Sequence, residues 1–232
     1  MTNKTVGLIG GVGPGSTAVF YQNVVRRYGA RHGGDQPVLL IYSVPMEASM
    51  EVAILNGATA GPEVDRLIGM LEDGVRRLAR AGADAVAMPC NTLQAYLPDI
   101  VARAELPYIH LIKETVRHIQ RLGRRRVAVI CTTPMRSLGL YQSELEGQAV
   151  PYLLPSETEQ ADLTRVILDT LHGRPDPNAP LLPIVRRLEA VADSILLGCS
   201  DLTAFSEPGF TRLPVVDAMD VLADATVSYL LE

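Results

Sequence analysis

Short apolar runs alternate with amphipathic stretches along the whole chain. Residues 5–10 and 37–42 are each six residues long and mostly apolar, which is typical of strands buried inside a sheet. A helical pattern begins at Pro62 and continues to about Ala81, with apolar residues every three or four positions, and Gly82 is placed to end it. Strands that alternate with helices predict parallel sheets with helices on both faces.

The same pattern occurs twice, once in each half of the chain. The first half continues with a strand over residues 83–88, a helix and a short strand over 107–110. For the second half we expect strands over residues 126–131, 149–153, 192–197 and 213–216, and helices over residues 136–147, 157–172, 180–191 and 218–231. We therefore predict an α/β protein of two pseudo-symmetric domains, each a mostly parallel sheet flanked by helices. The first domain is expected to comprise residues 1–110 and 214–232, and the second residues 111–213.

The repeat is also visible in the residues themselves. Val6-Gly-Leu-Ile-Gly matches Val127-Ala-Val-Ile-Cys, and the segment that ends at Cys90 matches the segment that ends at Cys199. Each of these two cysteines follows a predicted strand, and open α/β sheets bind their ligands at the carboxyl ends of strands. We expect the active site in the cleft between the two domains, with one thiol on each side.

Composition and charge restrict the other classes of function. The chain has 232 residues, a net charge of −5, and no apolar run near the roughly 18 residues that a membrane span needs. An acidic chain has no general attraction for nucleic acid, and we interpret the basic run from Arg124 to Arg126 as the solvated end of a helix. The N-terminal apolar segment is too short for a signal peptide, so we expect a cytoplasmic protein without nucleic-acid or membrane partners.

The cysteines carry the main chemical signal. Three cysteines without a CxxC pair favour neither a disulfide framework nor a zinc site. Two opposed thiols without a supporting histidine match what racemisation requires: one thiolate removes an α-proton, and a neutral thiol on the other face protonates the planar carbanion. A thiol of pKa ~8.5 needs only a modest lowering for this role, and the helix expected after each cysteine would favour the thiolate. Cys131, whose counterpart in the first half is Gly10, is interpreted as a packing residue.

Three motifs resemble those of the aspartate/glutamate racemase superfamily. Gly10-Gly-Val-Gly-Pro-Gly-Ser-Thr is similar to the entry loop of its aspartate racemase branch, and Met88-Pro-Cys-Asn-Thr and Leu197-Gly-Cys-Ser-Asp-Leu are similar to its two cysteine motifs. The resemblance covers almost the whole chain. It implies an amino-acid racemase that uses no pyridoxal phosphate, metal or other cofactor, with a small-molecule amino-acid substrate, two pseudo-symmetric domains and a homodimer.

The positions of these motifs indicate which residues contact the substrate. Polar side chains beside the thiols, and at the first strand of the second half opposite the entry loop, are suited to hold the substrate carboxylate. The expected substrate-binding residues are Gly11, Val12, Asn91, Thr92, Thr132, Thr133 and Ser200. Capping of helix N-termini explains the hydroxyl and amide side chains equally well, and one residue can serve in both ways.

Departures from the family pattern leave the substrate side chain open. The family often has His after the first cysteine motif, where this chain has Gln94. Aspartate-specific members carry an Arg after the second strand, where this chain has Glu47 and Glu51. Arg165 is included as a candidate cation, although an Arg on a helix of residues 157–172 is more typical of a solvated surface. Glutamates in the cleft would favour a neutral or basic substrate, whereas Arg165 would favour an acidic one.

Two alternative functions remain open from the sequence. Another enzyme of the superfamily, such as a hydantoin racemase, a maleate isomerase or an arylmalonate decarboxylase, would share the thiol geometry, although two cysteines favour racemisation over decarboxylation. A nucleotide-binding regulatory module would also explain the glycine-rich loop. The loop, however, departs from GxGxxG at its last position, and no GKS or GKT sequence is present.

Overall fold

The strands form two parallel four-stranded sheets of identical topology. The computed structural model describes residues 4–171, 181–200, 202 and 210–232. The first sheet has the strand order β2 (Val38–Ser43), β1 (Thr5–Gly10), β3 (Ala85–Ala87) and β4 (Tyr108–Ile109). The second has the matching order β6 (Tyr152–Leu153), β5 (Val127–Cys131), β7 (Ser194–Gly198) and β8 (Val215–Asp217). The predicted α/β fold with two similar parallel sheets is confirmed.

Ten α-helices of the described residues cover these sheets. The helices that precede β5 are α1 (Pro14–Arg31), α2 (Ala48–Leu55), α3 (Pro62–Arg80), α4 (Leu97–Arg103) and α5 (Leu111–Arg121). Those that follow it are α6 (Thr133–Ser137), α7 (Leu140–Gly147), α8 (Glu157–Leu171), α9 (Leu181–Glu189) and α10 (Ala218–Leu231). None of the helices in the described part of the chain has the length and apolar character needed to cross a bilayer.

Three apolar clusters fill the layers between these elements. The central cluster joins one face of each sheet through α1, α5, α7 and α10. The other two clusters lie on the outer faces, with α3 and α4 against the first sheet and α8 and α9 against the second. Burial of the central cluster therefore holds the two halves of the molecule against each other.

The segment 214–232 is shared between the two halves. Its strand, β8, pairs with β7 in the second sheet, whereas α10 packs against α1 and α5 and contributes to the central cluster. Two ion pairs strengthen the contact with α1, from Arg27 to Asp220 at 2.5 Å and to Asp224 at 2.8 Å. The domain boundaries given above stay a prediction.

Most elements lie where the sequence pattern places them, with three informative differences. The helix expected over 136–147 is two helices, α6 and α7, because Gly139 adopts the left-handed φ of 64° between them. The strands β3, β4 and β6 are shorter than expected. The helices α1, α2 and α5 had no counterpart in the pattern. Residue 172 of one expected helix and residue 180 of another lie outside the described residues.

The basic run from Arg124 to Arg126 is not the end of a helix. α5 ends at Arg121, and the three arginines lie in the mostly exposed turn before β5. The backbone N–H groups of Arg125 and Arg126 donate to the carboxylate of Asp193, at 2.6 and 3.2 Å. The turn is therefore anchored through its backbone, and the Arg126 side chain adds a 3.4 Å hydrogen bond to the carbonyl of Val191.

A close contact between α3 and the first sheet provides a test of this packing. A methyl group at Gly74 would lie 2.6 Å from Tyr42 Cδ1 and 3.1 Å from Ile9 Cδ1, and the Tyr42 ring is held by a 3.2 Å hydrogen bond to Asp73. We expect Gly74→Ala to lower the free energy of unfolding by ~1–3 kcal/mol, as measured by urea denaturation.

The matched control is Gly69→Ala in the same helix. No described atom lies within 4 Å of the added methyl group there, so the better helix propensity of Ala should raise stability by up to ~1 kcal/mol. Equal effects of the two substitutions would show that α3 does not approach the sheet this closely.

Candidate active site

Loops at the carboxyl ends of four central strands enclose one pocket between the two sheets. The strands are β1 and β3 in the first half and β5 and β7 in the second. The pocket holds about 500 Å3 of empty space, part of it open to solvent, which is the usual size for a small-molecule site. It is lined by Val12, Gly13, Met46, Glu51, Ile54, Leu55, Cys90, Asn91, Thr92, Leu93, Thr132, Cys199 and Ser200.

Both cysteines of the repeated motif line this pocket. Cys90 lies three residues beyond the end of β3, and Cys199 directly follows Gly198 at the end of β7. Their exposed fractions are 7% and 5%, so both thiols are largely withdrawn from solvent yet border the same space. One thiol thus comes from each half of the molecule.

Gln94 holds the backbone around Cys90. Its Nε2 donates to the carbonyl oxygens of Cys90 at 2.9 Å and of Met88 at 3.2 Å, and its Oε1 accepts from the hydroxyl of Tyr108. Burial raises the pKa of Tyr108, so this hydroxyl keeps its proton and remains a donor. At the position where the family often has His, this chain therefore has an amide that braces the cysteine loop.

The glycine-rich loop after β1 forms a tight turn beside the pocket. Gly11 has a φ of 89°, and a side chain there would lie 2.6 Å from the carbonyl oxygen of Val44. Its N–H donates to Thr17 Oγ1 at 3.1 Å, and that hydroxyl donates in turn to the carbonyl of Gly13 at 3.1 Å. Gly11 shapes the loop, while Val12 and Gly13 line the pocket.

Polar side chains connect the two halves at the floor of the pocket. The hydroxyls of Thr92 and Thr132 lie 3.1 Å apart, and Asn91 Oδ1 accepts a 2.6 Å hydrogen bond from the hydroxyl of Tyr141. Asn91 is 2% exposed, and no described residue accepts a hydrogen bond from its Nδ2. A buried amide nitrogen without an acceptor is costly, which makes Asn91 Nδ2 a candidate donor to a ligand in the pocket.

Three of the expected substrate-binding residues do not line the pocket: Gly11, which shapes the loop, Thr133 and Arg165. Thr133 is turned toward α8, where its hydroxyl lies 2.8 Å from that of Thr164. Arg165 is exposed on α8 and forms an ion pair with Asp162 one turn away, so the structure places this candidate cation at the surface and not among the pocket residues. Arg165 faces solvent because the apolar positions of α8, such as Leu163 and Val166, turn toward the second sheet.

The helix α2 supplies the wall that faces the thiols. Met46, just before it, and Ile54 and Leu55 at its end make most of this wall apolar, and Glu51 adds one carboxylate. Glu47 lies outside the pocket, where it forms an ion pair with Arg66. The sequence pattern had not indicated a helix here, although the apolar run from Val52 to Leu55 was a usable signal.

The segment after Cys90 differs from the expected helix. Cys90 is followed by a single 3-10 turn (Thr92–Ala95), and α4 begins only at Leu97. Most of the segment after Cys199, including Asp201, lies outside the described residues. The expected contribution of a long helix dipole at Cys90 is therefore replaced by a short turn of backbone amides.

Cys131 is placed as a packing residue. It is 1% exposed, it belongs to the central cluster, and burial raises the pKa of its thiol to about 12. No disulfide joins any of the three cysteines in the described chain. Within these residues, no group of three or more His, Cys, Asp or Glu side chains is arranged to hold a metal ion.

The whole chain is similar to racemases. The sequence model of the family described as Asp/Glu/Hydantoin racemase matches residues 9–226. The broad specificity amino-acid racemase RacX of Bacillus subtilis (strain 168) is 28% identical over 229 residues, which are 96% of this chain and 96% of that protein.

Solved structures share the fold at lower identity. A Yersinia pestis protein superimposes with a TM-score of 0.86 at 24% identity, covering 99% of this chain and 100% of that one. The aspartate racemase of Picrophilus torridus superimposes with a TM-score of 0.79 at 21% identity, covering 98% of this chain and 94% of that one. Both contain the two-sheet architecture described above.

The burial of Cys131 leads to a prediction about thiol reactivity. At pH 8 a thiol of pKa about 12 is ionised in only about one molecule in ten thousand, and alkylation requires the thiolate. We expect iodoacetamide to leave Cys131 unmodified in the folded protein while it labels the pocket thiols, as read by mass spectrometry of the peptides. Labelling of Cys131 at the same rate as Cys90 would contradict its placement in the core.

Proposed function

Because the chain belongs to the Asp/Glu/Hydantoin racemase family, we propose that it interconverts the enantiomers of an amino acid with Cys90 and Cys199 as its two acid–base groups. The observation that carries this mechanism is the placement of both thiols on one pocket, one from each half of the repeat. The assignment to this family leaves the nucleotide-binding alternative without support.

The reaction needs one proton acceptor and one proton donor on opposite faces of the α-carbon. One cysteine thiolate takes the α-proton, so an S–H bond forms and the C–H electron pair stays on carbon. The other cysteine, as a neutral thiol, protonates the planar carbanion on its opposite face, and its own S–H electrons remain on sulfur. The roles are reversed in the other direction, and no net change of the enzyme results beyond an exchange of protonation states.

The substrate carboxylate is placed by the polar floor of the pocket. Asn91 Nδ2 is the strongest candidate donor, and the hydroxyls of Thr92, Thr132 and Ser200 border the same space. Hydrogen bonds to the carboxylate also stabilise the carbanion, because its negative charge spreads onto the carboxylate oxygens. Thr92 and Thr132 come from different halves, so substrate binding would hold the two halves together.

The wall of the pocket favours a substrate side chain that is neutral or basic. It combines the apolar side chains of Met46, Ile54 and Leu55 with the carboxylate of Glu51, and Arg165 lies elsewhere. A second substrate carboxylate would approach Glu51 in a partly dehydrated space, where like charges repel strongly.

The homodimer, the cytoplasmic location and the independence from cofactors are part of the same proposal. They rest on the resemblance to the family and on the composition of the chain. The molecular mass in size-exclusion chromatography with light scattering tests the dimer, and activity after dialysis against a chelator tests the independence from metal.

The two-thiol mechanism predicts the effect of removing each cysteine. We expect Cys90→Ala and Cys199→Ala each to abolish racemisation, at least ~10^3-fold in kcat, because each deletes one of two obligatory proton-transfer groups. Cys131→Ala is the matched control and should keep most of the activity. Conversion would be followed by chiral chromatography, and full racemisation by either of the first two variants would refute the mechanism.

The pocket wall predicts a substrate preference that one carboxylate controls. Wild-type protein should racemise L-methionine and L-lysine in preference to L-aspartate. Glu51→Gln should reduce kcat/KM for lysine relative to methionine by about fivefold, the effect of one partly exposed ion pair.

Glu47→Gln and Arg165→Ala are the controls for this preference, since both residues lie outside the pocket. The measurement is a panel of L-amino acids with chiral analysis of the products. A wild-type enzyme that takes aspartate far better than every neutral or basic amino acid would show that Glu51 does not define the side-chain subsite.

A further inference from the structure

Tyr141 connects the second half of the molecule to the polar floor of the pocket. It lies on α7, is fully buried, and donates a 2.6 Å hydrogen bond to Oδ1 of Asn91, the neighbour of Cys90 in the first half. The acceptor is the side-chain oxygen, and the amide nitrogen of Asn91 has no acceptor among the described residues. The hydrogen bond therefore ties the oxygen of the amide to protein and leaves its buried nitrogen without an acceptor among the described residues.

The chain makes room for the Tyr141 ring beside the second thiol. A methyl group on Gly198, the residue before Cys199, would lie 2.7 Å from Tyr141 Cε2. The ring thus packs against the backbone that leads into the Cys199 motif, while its hydroxyl reaches the Cys90 motif. A single side chain contacts the segments that carry both thiols.

The matching position in the first half of the chain shows which part of Tyr141 is needed for packing and which part is additional. Tyr141 follows Val127 by fourteen residues, and Phe20 follows the matching Val6 by fourteen residues. Both rings are buried in the central cluster, so packing at this position is met by an aromatic ring alone. A buried hydroxyl needs a partner to offset its desolvation, and the hydroxyl of Tyr141, which also lies beside Thr115, donates to Asn91.

The hydroxyl stays a donor under all relevant conditions. Burial raises the pKa of Tyr141 well above its ordinary value, with nearby Cys131, Asp217 and Cys199 acting in the same direction. An amide side chain has two orientations related by rotation, and a fixed O–H donor favours the one that presents oxygen to it. The amide nitrogen of Asn91 then faces the opposite way.

We infer that Tyr141 is a positioning residue, which orients the Asn91 amide so that its N–H groups bind the substrate carboxylate. The inference rests on the proposed function of the pocket, since it assigns Tyr141 a role through Asn91 and not in contact with the substrate. Tyr141→Phe keeps the ring that fills the core and removes only the hydroxyl.

The test measures KM and kcat of Tyr141→Phe with L-methionine and L-lysine as probes. We expect KM to rise about tenfold with a smaller change in kcat, as for the loss of one buried hydrogen bond that supports binding. A purely structural role would lower the melting temperature and leave KM of the folded enzyme unchanged. Tyr152→Phe is the matched control, because its hydroxyl bonds to Glu146 at the surface, and its KM should not change.

A double-mutant cycle with Asn91→Ala separates the inference from the proposed function. If Tyr141 acts through Asn91, adding Tyr141→Phe to Asn91→Ala should have no further effect on KM. Additive effects, or an unchanged KM in Tyr141→Phe beside a raised KM in Asn91→Ala, would overturn the positioning role alone. An unchanged KM in Asn91→Ala would instead refute its proposed role as a carboxylate ligand.

A second variant answers the same question if Tyr141→Phe does not fold. Asn91→Asp keeps the oxygen that accepts from Tyr141 but replaces the amide nitrogen with a second acceptor. In the proposed orientation this oxygen meets the substrate carboxylate, so KM should rise at least ~100-fold, well beyond the effect of Asn91→Ala. Equal KM values for the Asp and Ala variants would show that the amide nitrogen does not face the substrate.

Discussion

The central apolar cluster between the two sheets determines the distance between the two cysteine loops. Racemisation places a strict demand on that distance, since two groups must reach opposite faces of one carbon atom. The cluster is built from α1, α5, α7 and α10 together with one face of each sheet, so neither half buries it alone. The hydrogen bond between the hydroxyls of Thr92 and Thr132 and the one from Tyr141 to Asn91 add polar contacts where the halves meet at the pocket.

The topology of parallel sheets explains why the chemistry collects at one place. Central strands of both sheets end at the pocket, and each is followed within three residues by a residue that lines it: Val12, Cys90, Thr132 and Cys199. The same arrangement in each half yields two similar loops with different neighbours. Gln94 and Tyr108 brace the first loop through hydrogen bonds, whereas the Tyr141 ring packs against the strand that leads into the second.

The repeat made the two similar sheets and the two pocket cysteines predictable from the sequence, because buried strands and thiols at matching positions leave a local signal. Contacts between residues that are far apart in the chain left no such signal in the sequence. Arg165 was a candidate because the sequence has no Arg after the second strand to pair with a substrate side-chain carboxylate. Only the packing of α8 shows that Arg165 faces solvent. The wall formed by α2 and the contact between Tyr141 and Asn91 join residues far apart in the chain. The break at Gly139 was local, but a glycine inside a helical pattern is ambiguous on its own.

The most direct test of a two-thiol mechanism is the fate of the α-hydrogen during the first turnovers in heavy water. Each thiol serves one face, so the proton removed from the substrate stays on one cysteine while the product receives deuterium from the other. The account predicts, by mass spectrometry of the separated enantiomers of methionine at low conversion, a fully deuterated product and a recovered substrate without deuterium. A product that retains the original α-proton would require a single group that carries it from one face to the other, and would contradict the account.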